Sequence, residues 1–323
     1  MPDLLKVAKF GGTSMADLNA MKRCADIVCA DPDKKVIVVS ATSGTTNLLT
    51  SLFEPVSAES KLETTERIRE KHLEICRGLE RSEEVEETVN RLADSLNDLV
   101  VGMKSATPKL QDEILAHGEM LSSAIFTSLL NEYDSPLAEW FDARSVIITD
   151  HTHTKAEPDV SAIAEKAVEL LVPRLSSVRI VTQGFIGKTP EGATTTLGRG
   201  GSDYSAALLA EAVNADVLEI WTDVTAVYTT DPRVVARARP ITEISFDEAA
   251  ELSVFGAKVL HPATMVPAVR KNIKVYVGSS MEPQKPGTWI MKDTRSKPAI
   301  RAISLRRNQT LVTVRSPDML HRH

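Results

Sequence analysis

The stretch Lys34 to Gly44, KKVIVVSATSG, limits the fold more tightly than any other part of the sequence. Val36 to Val39 run apolar without a polar interruption, as expected for a strand whose two faces are both covered. Before it come a strand signal from Leu4 to Phe10 and a tight loop, Gly11-Gly12-Thr13-Ser14. A helix follows that loop, with Leu18, Met21, Ala25 and Val28 on one face. Strand, helix and covered strand in that order make a βαβ unit, so at least part of the sheet is parallel. The chain is therefore of the α/β class.

The alternation continues. From about Ser60 to Tyr133 the periodicity predicts helices, with Leu92, Leu96, Leu99 and Met103 on one stripe and Ile114, Leu121, Ile125 and Leu129 on another. Strand signals return in LAEWFDARSVIIT, followed by a helix from Val160 to Leu175 and the strand RIVTQGFIG. ATTTLGRGGSD reads as a long polar loop, YSAALLAEAVNA as a helix and VLEIWTDV as a strand. SFDEAAELSVF and ATMVPAVRK are helical, KVYVGSS and GTWIM are strands, and KDTRSKP is a linker.

Composition narrows the function classes. With 323 residues the chain can bury a large core, and a net charge of −6 leaves no basic excess for a nucleic-acid surface. No apolar run approaches the ~18–20 residues that span a bilayer, and the first residues lack a secretory pattern. Cys24, Cys29 and Cys76 cannot all pair and lack zinc spacing, which predicts reduced thiols in a cytoplasmic protein.

Three Gly-rich loops each follow a strand: KFGGTS (Lys9 to Ser14), SATSGTTN (Ser40 to Asn47) and GRGGSD (Gly198 to Asp203). In an open α/β sheet the carboxyl ends of the strands share one edge, where ligands bind. Glycines there let backbone N–H groups approach an anion, and helix starts add partial positive charge. Turn glycines are common, but three such loops, two carrying a cation (Lys9, Arg199), exceed what turns require. A lysine before Gly-Gly is not the P-loop order, in which it follows the glycines. Placed at a strand end, it directs its ammonium at an anion that the loop amides also touch, which suits a phosphoryl group in transit.

KFGGTS, HGE (His117 to Glu119), QGFIG, TTTLGRGGSDYSAALLA, WTDV…Y.TDPR and FGAKVLHPAT occur in an order and spacing that resemble the aspartate kinases of the amino-acid kinase (carbamate-kinase-like) family, in particular the lysine-sensitive bacterial type. The resemblance covers essentially the whole chain. It implies ATP-dependent phosphorylation of the aspartate side chain to 4-phospho-L-aspartate, the first step toward lysine, threonine and methionine. The implied fold is a three-layer αβα sandwich around a mainly parallel, eight-stranded sheet. A carboxylate nucleophile is already ionised at neutral pH and needs no general base, so the lack of a Ser/His or Cys/His pair is no obstacle. Catalysis must instead align two anions and cancel their repulsion, with Mg²⁺ expected on the ATP phosphates.

Carried over residue by residue, the resemblance implies that Lys9 bridges the β- and γ-phosphates, helped by Gly11, Gly12 and Ser14. Asp203 holds Lys9 or the metal in register, or caps the following helix. Arg199 takes the α-carboxylate of aspartate and Glu119 its α-ammonium group; Thr46 and Ser202 bind substrate oxygens, and Ser40 and Phe185 line the pocket. Thr222, Asp223 and Tyr228 correspond to adenine and ribose contacts, and Arg233 and Lys258 to phosphate contacts. His117 reads as a structural hydrogen-bonding residue.

Two departures from the family pattern stand out. Thr225-Ala226 replaces a Pro-Gly pair, and HTHTKAEPD (His151 to Asp159) replaces a Phe-Gly pattern. His151 and His153 lack a third ligand for a metal. The expected organisation is a catalytic domain over 1–295, with an aspartate-binding half to about 180 and an ATP-binding half from about 181 to 295. Residues 296–323 read as a linker and the stub of an ACT regulatory domain, the region through which a homodimer is expected. Rival readings are a kinase of another small carboxylate such as glutamate, and a binding module without turnover. A dinucleotide oxidoreductase would need G-x-G-x-x-G after the first strand, and only Gly-Gly is there.

Overall fold

The computed structural model describes residues 4–133, 137–254, 260, 262–296, 298–305 and 310. Its strands are β1 (Lys6–Phe10), β2 (Lys34–Val39), β3 (Ala138–Phe141), β4 (Arg179–Gln183), β5 (Ile186–Lys188), β6 (Thr194–Thr196), β7 (Val217–Thr222), β8 (Glu243–Ser245), β9 (Lys274–Ser279) and β10 (Thr288–Met291). The helices are α1 (Leu18–Cys29), α2 (Thr45–Ser51), α3 (Ala58–Cys76), α4 (Ser82–Val101), α5 (Pro108–Leu130), α6 (Val160–Leu170), α7 (Gly201–Ala212), α8 (Phe246–Val254) and α9 (Pro262–Lys271).

Eight strands form one sheet in the order β3-β4-β2-β1-β7-β9-β10-β8, and β5 and β6 form a separate antiparallel pair. The run β3-β4-β2-β1-β7-β9 is parallel throughout, and the sheet turns antiparallel at β9–β10. Val36, Ile37, Val38 and Val39 are all fully buried, so both faces of β2 are covered as its sequence requires. Adjacent residues of β1 show the two layers. Phe10 packs against Phe126 of α5 with ring centroids 6.0 Å apart, whereas Lys9 projects to the other face and meets Asp203 of α7.

The helical region breaks where its sequence changes character. α3 stops before Gly78, α4 before Gly102, and α5 starts at Thr107, whose side chain accepts the Leu110 N–H, with Pro108 in the first turn. α6 ends at Leu170, earlier than its periodicity predicts, because Pro173 enters a short 3₁₀ turn (Val172–Arg174). ATTTLGRGGSD is not all loop: Thr194–Thr196 pairs with Ile186–Lys188, since β-branched threonines suit a pleated strand. The FGAKVLH segment, apart from Leu260, and nearly all of the carboxyl-terminal stub lie outside the described residues.

Candidate active site

Because β2, β1 and β7 are adjacent and parallel, the loops after them emerge side by side. The chain leaves β1 toward β2 on one side and returns to β7 on the other, so the carboxyl end of β1 is the switch point where such sheets bind ligands. A cavity of about 820 Å³ opens there.

Lys9, Gly11, Gly12, Ser40, Thr46, Glu119, Phe185, Arg199, Ser202, Asp203, Thr222 and Asp223 all line this one cavity. Lys9 is 8% exposed, and its ammonium lies 2.6 Å from Asp203 Oδ1. Asp203 sits in the first turn of α7 but does not cap it. The cap position is Gly200, whose left-handed backbone (φ 76°) turns the chain into the helix and leaves the carboxylate to the lysine. The first glycine loop is tied down from below, where the Gly11 N–H donates to the Trp221 carbonyl at 3.1 Å.

Glu119 stands on α5, 5% exposed, and accepts one hydrogen bond, 3.1 Å from the Ala41 N–H. Burial pushes its carboxyl up to about 8, against smaller opposing effects of the Ala41 amide and the Lys9 charge. A cationic group brought beside it would restore its charge. The glycine of HGE explains how α5 comes so close. A Cβ on Gly118 would lie 2.8 Å from Ala41 Cβ, so the helix can seat against the Ser40–Gly44 loop only without one. Arg199 is exposed at the cavity mouth and pairs with no acid among the described residues. Its guanidinium fork therefore stays open to a carboxylate.

Phe185 holds a left-handed backbone at φ 69°, fixed by donation of its N–H to Ser205 Oγ at 2.8 Å and by the Leu197 N–H bonding its carbonyl at 2.9 Å. Such a conformation is strained for an aromatic residue and is maintained here at the pocket wall. From behind, α3 braces the second glycine loop. The Lys71 ammonium donates to the Ser43 carbonyl and the Thr45 hydroxyl, and buried His72 reaches Thr42 Oγ1 at 3.2 Å.

Other expected residues lie elsewhere. Ser14 is 1% exposed and does not line the cavity; its hydroxyl pairs with Ser280 Oγ at 2.6 Å, joining the first loop to the end of β9. Tyr228 and Arg233 also stand outside the lining. The Tyr228 hydroxyl meets Thr225 Oγ1 at 2.7 Å, and Arg233 is held by Asp231 through two side-chain hydrogen bonds of 2.8 and 3.0 Å. Lys258 lies outside the described residues. His117 bonds back to the Glu113 carbonyl at 2.9 Å, as a structural residue does. His151 and His153 each meet a single acid, Glu191 and Asp112, and among the described residues no three His, Cys, Asp or Glu side chains cluster as metal ligands. The sequence reading missed Gln111, Leu115 and Thr154, which also line the cavity. The signal was present for the first two, since both share the helix of Glu119 and Leu115 lies one turn before it.

The profile of the Amino acid kinase family matches residues 5–279. The lysine-sensitive aspartokinase 3 of Escherichia coli (strain K12) is 49% identical over 316 residues, which span 98% of this chain and 70% of that relative. An aspartokinase of Chlamydia pneumoniae is 36% identical over 311 residues, 95% of this chain and 68% of its own length. Among solved structures, E. coli aspartokinase III in complex with aspartate and ADP superposes with a TM-score of 0.88 at 47% identity, covering 92% of this chain and 67% of that one. With its sheet, its glycine loops and these likenesses in agreement, the chain belongs to the amino acid kinase family and stands among its aspartokinases.

Proposed function

We infer that the chain transfers the γ-phosphoryl group of ATP to the side-chain carboxylate of L-aspartate, giving 4-phospho-L-aspartate and ADP. One observation carries the reading. The cavity joins the Lys9–Asp203 pair and two glycine loops to a buried carboxyl, Glu119, and an open guanidinium, Arg199. That set matches the charges of an amino acid with an acidic side chain. Similarity to an aspartokinase solved with aspartate and ADP supports both substrates.

In the proposed reaction a carboxylate oxygen of aspartate attacks the γ-phosphorus. The bond from that phosphorus to the β–γ bridging oxygen breaks, and its electron pair leaves on ADP. Lys9 spreads its charge over the transferring group, and Asp203 fixes the ammonium in place. The Gly12 amide approaches the phosphates, and Gly11, whose N–H is held by the Trp221 carbonyl, shapes the loop that presents it. Arg199 and Glu119 hold the α-carboxylate and α-ammonium groups, Thr46 and Ser202 reach substrate oxygens, and Ser40 and Phe185 shape the walls. Thr222 and Asp223 face the nucleotide, with Tyr228, Arg233 and Lys258 assigned to its outer contacts. The halves divided near residue 180 therefore share both ligands in this reading: Phe185, Arg199 and Ser202 reach aspartate from the second half, and Lys9 and the first glycine loop reach ATP from the first.

The donor set suits Mg²⁺ carried on the phosphates rather than caged by protein, because Asp203 is already neutralised by Lys9 and no three-acid cluster is near among the described residues. When bound, the ion would neutralise phosphate charge. A cytoplasmic setting and a homodimer formed through a regulatory region belong to the same proposal. Among the described residues no helix is long and apolar enough to cross a membrane. A hydroxamate assay for acyl phosphate with aspartate, glutamate or no acceptor tests the reaction. Product with aspartate alone is expected; product with glutamate in preference would overturn the assignment.

A further inference from the structure

We propose that Asp112 is a positioning residue for the acidic substrate. Its carboxylate ties a strained wall residue, Thr154, and the end of β6 to the helix that carries Glu119. The inference rests on the reading of the cavity as an aspartate site and extends it to a residue that does not touch the cavity.

Asp112 is fully buried on α5, seven residues before Glu119 and so on the same face two turns away. Such a carboxylate is kept only where donors surround it. The Thr154 N–H donates to both oxygens at 3.0 Å, Thr196 Oγ1 donates to Oδ1 at 2.5 Å, and His153 Nδ1 lies 2.7 Å from Oδ2. Two segments distant in sequence, His153–Thr154 and the end of β6, converge on one group, and both form the cavity wall, since Thr154 and Thr196 line it. Thr196 also immediately precedes the loop of Gly198 and Arg199.

Thr154 itself has φ 70°. A β-branched residue rarely adopts that conformation without being forced. The hydrogen bonds from its N–H to both oxygens of Asp112 hold the amide of this residue in place in that conformation. Asp112 therefore sets the relative placement of the carboxyl that meets the substrate ammonium and the wall leading to the guanidinium that meets its carboxylate. It does not approach the phosphate end, where Lys9 and the first glycine loop sit on a different strand.

The test is a split between the two substrates. Asp112→Asn in the full chain is expected to raise the aspartate KM about tenfold and to leave the ATP KM within about twofold. Adding Thr154→Gly to Asp112→Asn should recover about threefold, since glycine adopts positive φ without the strap. Should Asp112→Asn not fold, His153→Ala removes one partner from the less buried side and is expected to raise the aspartate KM about threefold. An unchanged aspartate KM, a parallel rise in both constants, or a double variant no better than Asp112→Asn would each overturn the proposal. A wild-type chain that forms no aspartyl phosphate overturns the functional reading instead. The same split, measured with the amino acid it then phosphorylates, still judges the strap.

Discussion

Lys9 and Asp203 form an ion pair of 2.6 Å between the carboxyl end of strand β1 and the first turn of helix α7, with side chains only 10% and 20% exposed. The pair aims the ammonium along the cavity floor while lowering the cost of burying it. Lys9→Met is expected to lower kcat by at least about a hundredfold, because it removes charge that acts on the transferring group. It also strands Asp203, with a loss of about 2–4 kcal/mol of stability. The double variant Lys9→Met/Asp203→Asn should unfold at a higher temperature than Lys9→Met alone. Calorimetric melting beside steady-state rates checks both halves, and a fully active Lys9→Met would refute the site.

Glu119 makes the site pH-dependent in a definite direction. Its carboxyl is raised from an ordinary 4.5 to about 8, so between those values the folded chain binds more protons than the unfolded one. Stability of the ligand-free protein therefore falls as pH rises through that window. Aspartate, whose ammonium favours the ionised form, should release on the order of one proton on binding at pH 7. Its KM should rise as the solution is acidified. Titration calorimetry in buffers of different ionisation enthalpy measures the proton, and Glu119→Gln should abolish it. Wild-type binding with no proton release would contradict this account.

Arg199 has no acid of its own among the described residues, so its removal leaves nothing stranded. Arg199→Ala is expected to raise the aspartate KM by about ten- to a hundredfold, with the melting temperature and the ATP KM nearly unchanged. Arg199→Lys should recover only part, for want of a second parallel donor. Equal effects on both substrates would argue against the assignment.

Gly118→Ala tests the packing behind Glu119. Alanine favours a helix by up to about 1 kcal/mol over glycine, but its methyl would meet Ala41 Cβ at 2.8 Å. Overpacking of this kind costs about 1–3 kcal/mol and should dominate. The expected outcome is a lower melting temperature together with a weaker hold on aspartate, because the displaced loop contains Ser40 and Thr46. A stabilised variant with normal kinetics would show that the helix approaches less closely.

Much of this was legible in the residues. The unbroken Val36–Val39 run specifies a doubly covered strand, and the glycine loops after β1 and β2 lie at the strand ends that predict them, whereas GRGGSD follows β6 of the separate pair. What escaped depended on partners distant in sequence. Glu243–Ser245 is too short to signal a strand alone and becomes one only beside β10. Thr194–Thr196 reads as polar until its β-branched backbone finds β5. Ser14 belongs to a phosphate-type motif yet turns away because Ser280, 266 residues on, supplies a hydroxyl at 2.6 Å. Asp112 looks like one more helix charge until the chain folds Thr154 and Thr196 onto it.

The adjacency of β2, β1 and β7 has a further effect on how such an enzyme can change. Hydrogen-bonded neighbours sit about 4.8 Å apart, so the interval between the loop gripping the acceptor and the loop gripping the donor is fixed by peptide geometry. Mutations in the flanking helices cannot stretch it. An altered preference for longer or shorter acids must arise at the flank of Phe185 and Thr154, outside the parallel strands, where side chains and not the main-chain lattice decide the room available.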